Sequence, residues 1–280
     1  MTTVQRTRPE RDVGDLAAAP ARRRPGAGAT RLAPWALAAV LVLGWQLTIW
    51  LADPPAYVLP APGAVAARLA DLLLGSVWPY LTTTVIESLG GCLLGTVVAL
   101  PLAIWIHRSR WVNAAVTPFL GATQAIPAIA LAPLLVLWVG YGFVAIVLLC
   151  ALMVFFPILV ASVVGLRHVD AFVVDAARMD GADGLRLLTE IELPLALPNV
   201  LGGLRNGFAL SVTGAVVGEM VMGGRGLGQL LTVQRDALDT TGMFATIAIL
   251  GTLASLLYTL IHVIERRSRV MESLRPTSGR

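Results

Sequence analysis

Acidic side chains are the residues of this chain whose positions bear most directly on chemistry. Six of them fall in the polar stretch 166–198 beside three arginines, and two more, Glu87 and Glu219, are the only acids inside long apolar segments. A charge at the centre of a membrane helix costs about 2.5–3.5 kcal/mol on insertion scales, so such a residue usually faces a cavity or a partner. The acids of the polar stretch are Asp170, Asp175, Asp180, Asp183, Glu190 and Glu192.

Glu219 has two interpretations that the sequence leaves open. It can act as a gate or line a pore near the end of its apolar segment. It can equally form a salt bridge with Arg205 or Arg225, or lie shallow enough to be hydrated. Glu87 comes near the start of its own segment, and we expect it at the membrane interface.

Several enzymatic chemistries lack the residues they need. All 21 basic residues are arginine, so the chain cannot build a phosphate-binding P-loop or a Schiff base, both of which require lysine. The run Gly223–Gly228 follows an apolar span rather than a strand, and we interpret it as a tight turn outside the membrane, not a dinucleotide site. The three histidines are scattered without a second ligand at metal spacing. We therefore expect no cofactor and no metal.

The composition is that of an integral membrane protein. The chain is 56% hydrophobic and 14% charged, with a mean hydropathy of +0.77, whereas soluble domains average about 25% charged residues. About 20 apolar residues cross a bilayer, and six segments qualify. They are 33–52, 82–106, 117–138, 143–165, 199–222 and 243–264.

Arginine asymmetry predicts the orientation. Seventeen arginines fall in 1–31, 107–116, 166–198 and the C-terminal tail, against three on the opposite side. By the positive-inside rule both termini and the polar stretch are cytoplasmic. The expected divisions are a disordered tail (1–31), a first transmembrane helix with an external segment (32–77), the main transmembrane domain (78–267) and a second tail (268–280). Within the external segment, residues 64–74 could form a short amphipathic helix.

The polar stretch 166–198 reads as two helices separated by a bend at Gly181. Apolar residues recur at helical spacing in each half, so each helix has one apolar side. We expect Pro194 and Pro198 to end the second helix before the fifth span begins. Prolines also interrupt the spans. The segment from Gln124 to Pro127 can be interpreted either as part of a flexible pore-lining helix or as an ordinary packing kink.

The spacing of residues 175–194 resembles the EAA loop of binding-protein-dependent ABC import permeases. That signature has an acidic residue, two alanines, a glycine and then Ile-x-Leu-Pro, with aspartate here where the family usually has glutamate. Residues 59–63, 124–133, 137–140 and 217–228 also look like segments of this family. The signature positions are Asp175, Ala176, Ala177, Gly181, Ile191, Leu193 and Pro194.

The resemblance implies a fold and partners. It implies an all-α, six-span bundle of the type I importer kind in the cell membrane, with a cytoplasmic loop that docks on separate ATPase subunits. It also implies a homodimer with the path at its axis, fed by an extracytoplasmic solute-binding protein. Gln124, Pro127 and Glu219 are the candidates for the path or its gate.

The transported solute stays open at the level of the sequence. The resemblance points to the branch that carries nitrate, sulfonates, taurine, and thiamine pyrimidine precursors or riboflavin. The alternative from another class is a stand-alone secondary transporter or channel, which would need coupling-ion carboxylates or inverted repeats. Neither feature is clear in the sequence.

Overall fold

A computed structural model describes residues 27–123 and 127–267 of the chain, with side chains for 33–121 and 127–263. Two units are distinct. Of the helices in the described residues, α1 (Ala27–Ala52) belongs to the unit 1–53, and the others belong to the unit 54–280. These are α2 (Pro62–Leu74), α3 (Val77–Arg108), α4 (Arg110–Thr123), α5 (Ala132–Val139), α6 (Phe143–Arg167), α7 (Ala171–Met179), α8 (Gly184–Leu187), α9 (Leu193–Met222), α10 (Leu227–Asp236) and α11 (Thr240–Arg267).

Five helices in the described part of the chain are long and apolar enough to cross a membrane. They correspond to α1, α3, α6, α9 with the residues from Gly184 that precede it, and α11, and each overlaps a span predicted from the sequence. The predicted short helix after the first span is also present, as α2. Long uninterrupted apolar runs make these helices predictable, because every backbone polar group is then satisfied within its own segment.

The third predicted span, 117–138, is not one helix, so the six-helix count is not confirmed. Its residues are divided between α4, a short 3₁₀ turn (Ala128–Leu131) and α5, and positions 124–126 lie outside the described residues. Prolines explain the interruption. Pro127 comes just before the 3₁₀ turn, and a proline lacks the N–H that would continue an α-helix.

The helices α3, α6 and α9 form the centre of the larger unit. Gly91 and Gly95 of α3 lie against Cys150 and Val154 of α6 in the same order along both helices, so α3 and α6 run parallel. The helix α9 runs antiparallel to α6, because Gly203 meets Ala161 whereas Gly218 meets Ile146. Because α3 and α6 run in the same direction, the connection between them, residues 109–142, must return along the bundle.

Small residues allow this close packing. Gly91 and Gly95 are separated by three residues, as are Gly203 and Gly207, and this spacing places both members of each pair on one helix face. A Cβ at Gly91 would lie only 2.1 Å from Cys150 Cβ. The side chains of Cys92 and Cys150 are buried, and both thiols are free.

The polar stretch departs from the sequence-based expectation at its second half. The helix α8 continues through a π-helical turn (Leu188–Glu192) directly into α9, so Pro194 and Pro198 do not end the helix as predicted. In the π turn the Leu193 N–H donates to the Leu188 carbonyl, one residue further back than in an α-helix. This wider turn accommodates the proline that follows it.

Candidate functional site

The two ends of the larger unit carry different sites. We call the end with Arg108, Arg167 and residues 168–187 the loop end. We call the opposite end, where Gly223–Gly228 connects α9 to α10, the turn end. The parallel course of α3 and α6 places the last residues of both helices at the loop end.

The helix α7 opens the loop end and is capped by a local hydrogen bond. The Asp170 carboxylate accepts the Phe172 N–H at 2.9 Å, which satisfies one of the free donors of the first turn. At the other end of α7, the Ala182 N–H donates to the Ala177 carbonyl at 2.9 Å. Gly181 has φ +84°, a left-handed conformation that glycine adopts readily, and it produces the predicted bend.

The first half of the signature lies on the surface. Asp175 and Ala176 are exposed, Ala177 is half-buried, and a Cβ at Gly181 would meet no atom within 4 Å. The Asp175 carboxylate accepts from Arg178 at 3.2 Å, one helical turn away. An exposed ion pair of this kind contributes little to stability, so the carboxylate can exchange partners at small cost.

The second half of the signature packs toward the bundle instead. Ile191, Leu193 and Pro194 are half-buried, and Leu193 and Pro194 line an apolar cavity of about 370 Å³ against α3 and α6. The seven signature residues therefore do not form one surface. Asp175, Ala176 and Gly181 face outward, and the Ile-x-Leu-Pro residues join the loop to α9.

Large apolar side chains are exposed on the same loop. Phe172 is 86% exposed, Met179 90% and Leu185 77%. Helical spacing in the sequence indicated Leu185, but Phe172 and Met179 were missed because the periodicity of α7 favours Val173 and Val174 as its apolar side. We call Phe172, Asp175, Met179, Gly181 and Leu185 the loop surface.

The last turn of α3 holds this loop in place. The Arg108 guanidinium donates to the Gly184 carbonyl at the start of α8, and His107 Nε2 lies 3.4 Å from the buried Glu192 carboxylate at the end of the π turn. A polar groove of about 420 Å³ separates α7 from these residues, with Asp175 and Arg178 also at its wall. The loop surface is thus attached to a helix that runs through the whole bundle.

Glu219 occupies the turn end and is fully buried. Its carboxylate accepts the Thr84 hydroxyl at 2.7 Å and the backbone N–H groups of Gly228 and Gln229, in the first turn of α10. The Thr84 hydroxyl in turn accepts the Leu227 N–H at 2.8 Å. Thr84 and Glu219 therefore cap α10, although neither belongs to it.

The glycines of the turn make this cap sterically possible. A Cβ at Gly226 would lie 2.1 Å from Glu219 Oε1, and one at Gly224 would lie 2.6 Å from Glu219 Cγ. At Gly228 a Cβ would lie 2.2 Å from the Val216 carbonyl oxygen. The glycine run seen in the sequence thus surrounds a carboxylate of the same chain, which agrees with the expectation of a tight turn.

Neither arginine suggested from the sequence pairs with Glu219 in the described part of the chain. Arg205 lies toward the loop end, where it contacts His262 Nδ1 at 3.0 Å and stacks over Tyr258. Glu87, for which we expect a position at the membrane interface, is 1% exposed within the protein, and its carboxyl group lies next to that of Glu219.

The remaining path candidates lie on the connection between α4 and α5. Pro127 is exposed and precedes the 3₁₀ turn, where its carbonyl accepts the Ala130 N–H at 2.8 Å. Gln124 lies outside the described residues. Among the described residues no group of three or more His, Cys, Asp or Glu side chains could hold a metal ion.

Comparison with known proteins places these features in a family. Residues 91–270 match the model of the binding-protein-dependent transport system inner membrane component. The riboflavin transport system permease protein of Chloroflexus aurantiacus is 41% identical over 228 residues, which cover 81% of this chain and 85% of that protein. The formylaminopyrimidine transport permease protein of Halalkalibacterium halodurans is 33% identical, covering 81% and 90%.

A sulfonate relative and solved structures extend the comparison. A putative aliphatic sulfonates transport permease protein of Bacillus subtilis is 30% identical, covering 82% of this chain and 84% of that protein. A chain of the inward-facing MetNI methionine ABC transporter superposes with a TM-score of 0.60 at 21% identity, covering 68% of this chain and 95% of that chain. The fold is thus that of a type I importer permease, and the chain belongs to the family of binding-protein-dependent ABC transporter permeases of the inner membrane.

Proposed function

We propose that this permease moves a small organic or anionic solute inward, delivered by a solute-binding protein and driven by separate ATPase subunits. The family description supports a binding-protein-dependent transporter. Relatives named for riboflavin, formylaminopyrimidine and sulfonate transport support a solute of that size. Riboflavin-like solutes are the first to test, since that relative shares the higher identity.

The loop surface is the proposed docking site for the ATPase. The observation that carries the proposal is the exposure of Phe172, Met179 and Leu185 around the accessible carboxylate of Asp175. Apolar side chains exposed together on a polar rim are typical of a protein contact. Attachment of the loop to α3 and its continuity with α9 give ATPase movements a direct route into the bundle.

We propose that the loop end and both termini are cytoplasmic. Arg108, Arg110, Arg167, Arg178 and Arg186 gather at this end, as the positive-inside rule requires of a cytoplasmic face. The return of residues 109–142 along the bundle would supply the sixth crossing as a broken segment. The proposed assembly is a homodimer, with Gln124, Pro127 and their neighbours along the path at its axis and Glu219 near the external gate.

Charge introduced into the loop surface tests the docking site. We expect Phe172→Asp with Met179→Asp to abolish co-purification of the ATPase and binding-protein-stimulated ATP hydrolysis, while the permease still inserts. Leu74→Asp is the matched control, because Leu74 is 89% exposed at the opposite end. Unchanged ATPase binding in the double variant would exclude this surface.

The bend at Gly181 gives a second test of the same site. Gly181→Val places a β-branched residue at φ +84°, which is strained whatever space surrounds it. We expect it to reorient α7 relative to α8 and to uncouple transport. Asp175→Ala should have a milder effect, because the carboxylate is one of several contacts. Wild-type coupling in Gly181→Val would contradict the assignment.

A further inference from the structure

Two buried carboxyl groups lie together at the turn end. Glu87 and Glu219 are 1% and 0% exposed, and their carboxyl groups lie within hydrogen-bonding reach of each other. An ionised carboxylate only accepts hydrogen bonds, whereas a protonated carboxyl group can also donate one. A hydrogen bond between the two side chains therefore requires a proton on one of them.

The surroundings of Glu219 identify which residue is ionised. Its two oxygens accept from the Thr84 hydroxyl and from the backbone N–H groups of Gly228 and Gln229. These two N–H groups belong to the first turn of α10, where the helix dipole favours negative charge. Each of these neighbours is a donor, so Glu219 is the carboxylate and Glu87 holds the proton.

Glu87 has a route to solvent for that proton. Glu87 lines a cavity of about 340 Å³, whose wall includes Thr83, Phe143 and the exposed Arg225. A cavity of this size has room for water, which can deliver or remove a proton without opening the bundle.

Few other charged or titratable groups face the pair within the described part of the chain. From α6 the Cys150 thiol lies nearby and contacts the Ser211 carbonyl at 3.4 Å. From the turn, Arg225 stands at the cavity wall, and the first turn of α10 contributes only uncharged residues at 227–229. The proton on Glu87 is therefore the main variable charge of the site.

We propose that Glu87 and Glu219 form a proton-binding site that locks the Gly223–Gly228 turn against α3. With the proton bound, Glu87 donates to Glu219, and the α10 cap is complete. Loss of the proton to water leaves two adjacent carboxylates where little water can screen them, and their repulsion loosens the cap. We call this arrangement of Glu87, Glu219 and the α10 cap the lock. The lock is closed when the site is protonated and opens as the pH rises.

Glutamine substitutions separate the roles of the two residues. In Glu87→Gln the amide N–H still donates to Glu219 but cannot be titrated, so the lock should stay closed at every pH. In Glu219→Gln the side-chain amide turns a donor toward neighbours that are themselves donors, so the lock should fail at every pH. Glu190→Gln is the control, because Glu190 is an exposed residue of the loop end.

Hydrogen–deuterium exchange of the peptide containing Leu227 and Gly228 measures the lock in the full-length chain in nanodiscs. After correction for the intrinsic pH dependence of exchange, wild-type protection should fall about tenfold or more with rising pH, since the lost hydrogen bonds involve a charged acceptor. Glu87→Gln should stay protected, and Glu219→Gln should be unprotected throughout. Protection of the wild type that does not change with pH, or a Glu87→Gln variant that titrates like the wild type, would overturn the proposal.

Infrared spectroscopy provides a direct readout of the proton. The wild type at neutral pH should show the carbonyl stretch of a buried protonated carboxylic acid, and Glu87→Gln should lack it, whereas Glu190→Gln should retain it. A wild type without this band, or a band that survives Glu87→Gln, would contradict the assignment of the proton to Glu87. Neither measurement depends on transport, so the lock can be tested even if the proposed solute or docking surface is wrong.

Discussion

The Thr84 hydroxyl donates to the Glu219 carboxylate over 2.7 Å, although 135 residues separate the two in sequence. The same hydroxyl accepts the Leu227 N–H at 2.8 Å, so one side chain connects α3, α9 and α10. Because the contact is buried, water cannot replace it if the hydroxyl is removed.

The first prediction follows from that contact. Thr84→Val keeps the shape of the side chain but leaves one buried donor and one buried acceptor without their partner. We expect a loss of about 1–3 kcal/mol in the free energy of unfolding, measured by thermal unfolding in detergent. Thr83→Val is the control, because in the described part of the chain the Thr83 hydroxyl donates to the Pro79 carbonyl of its own helix and to no other residue. Equal effects of the two variants would contradict the prediction.

The second prediction concerns the contact of α3 with α6. In Gly91→Ala the new methyl group would lie 2.1 Å from Cys150 Cβ, so the helices must separate. We expect destabilisation by about 1–3 kcal/mol, typical of overpacking. At the adjacent Gly90 the nearest atoms would be 3.6 Å away, which is an ordinary contact. Gly90→Ala should therefore melt near the wild-type temperature, and a similar loss in both variants would argue against this packing.

The third prediction is a pH dependence at Asp239, in the connection between α10 and α11. Its partial burial opposes ionisation, but the Gly242 N–H and the Arg68 guanidinium, both at 2.8 Å, donate to its carboxylate and hold the pKa of Asp239 below its usual value. A lowered pKa stabilises the folded state above the usual aspartate value of about 3.9. That stability is lost as the pH falls from there through the lowered pKa.

Asp239→Asn removes the charge and keeps a capping side chain. We expect it to cost at most about 1 kcal/mol at neutral pH, as a partly exposed ion pair should, and to cost progressively less in acid. Thermal unfolding of both proteins across the acidic range measures this difference. The exposed Asp236, paired with its neighbour Arg235, supplies the control variant Asp236→Asn. A difference between Asp239→Asn and the wild type that grows on acidification would contradict the lowered pKa.

The fourth prediction tests the attachment of the loop to α3. Arg108→Gln removes the guanidinium that donates to Gly184 and leaves the loop surface itself unchanged. We expect the ATPase to co-purify normally while the solute transported per ATP falls several-fold. Arg110→Gln, two positions further, is the control for loss of a positive charge at this end. If Arg108→Gln transports with wild-type efficiency, the contact of Arg108 with Gly184 does not transmit ATPase movements to the bundle.

The fifth prediction concerns orientation. In a variant without Cys92 and Cys150, a cysteine at position 181 should be labelled only from the cytoplasm and one at 225 only from outside. Position 225 is preferable to 224, because a Cβ at Gly224 would collide with Glu219. Labelling of position 181 by an impermeant reagent in intact cells would reverse the proposed topology.

Local patterns were enough to predict most of the helices. The apolar runs of α3, α6 and α11 satisfy their own backbone groups, so length and hydropathy sufficed. The spacing from Asp175 to Pro194 likewise indicated the family, which the comparisons confirmed. Where prolines were involved, the same local rules failed. A π turn carries the helix through Pro194, whereas the apolar segment 117–138 is interrupted near Pro127.

The contacts between distant residues were decided by the tertiary structure. The sequence alone identified Glu87 and Glu219 as costly charges and the run Gly223–Gly228 as a tight turn, but it offered arginines as partners for Glu219. Glu87 and Glu219 meet only because α9 runs antiparallel to α6 while α3 runs parallel to it, in a register set by glycine contacts such as that of Gly91 with Cys150. Hydropathy measures how apolar a segment is, but it does not say which face of a helix meets which neighbour. It therefore could not reveal that Glu87 lies beside the Glu219 carboxylate that caps α10.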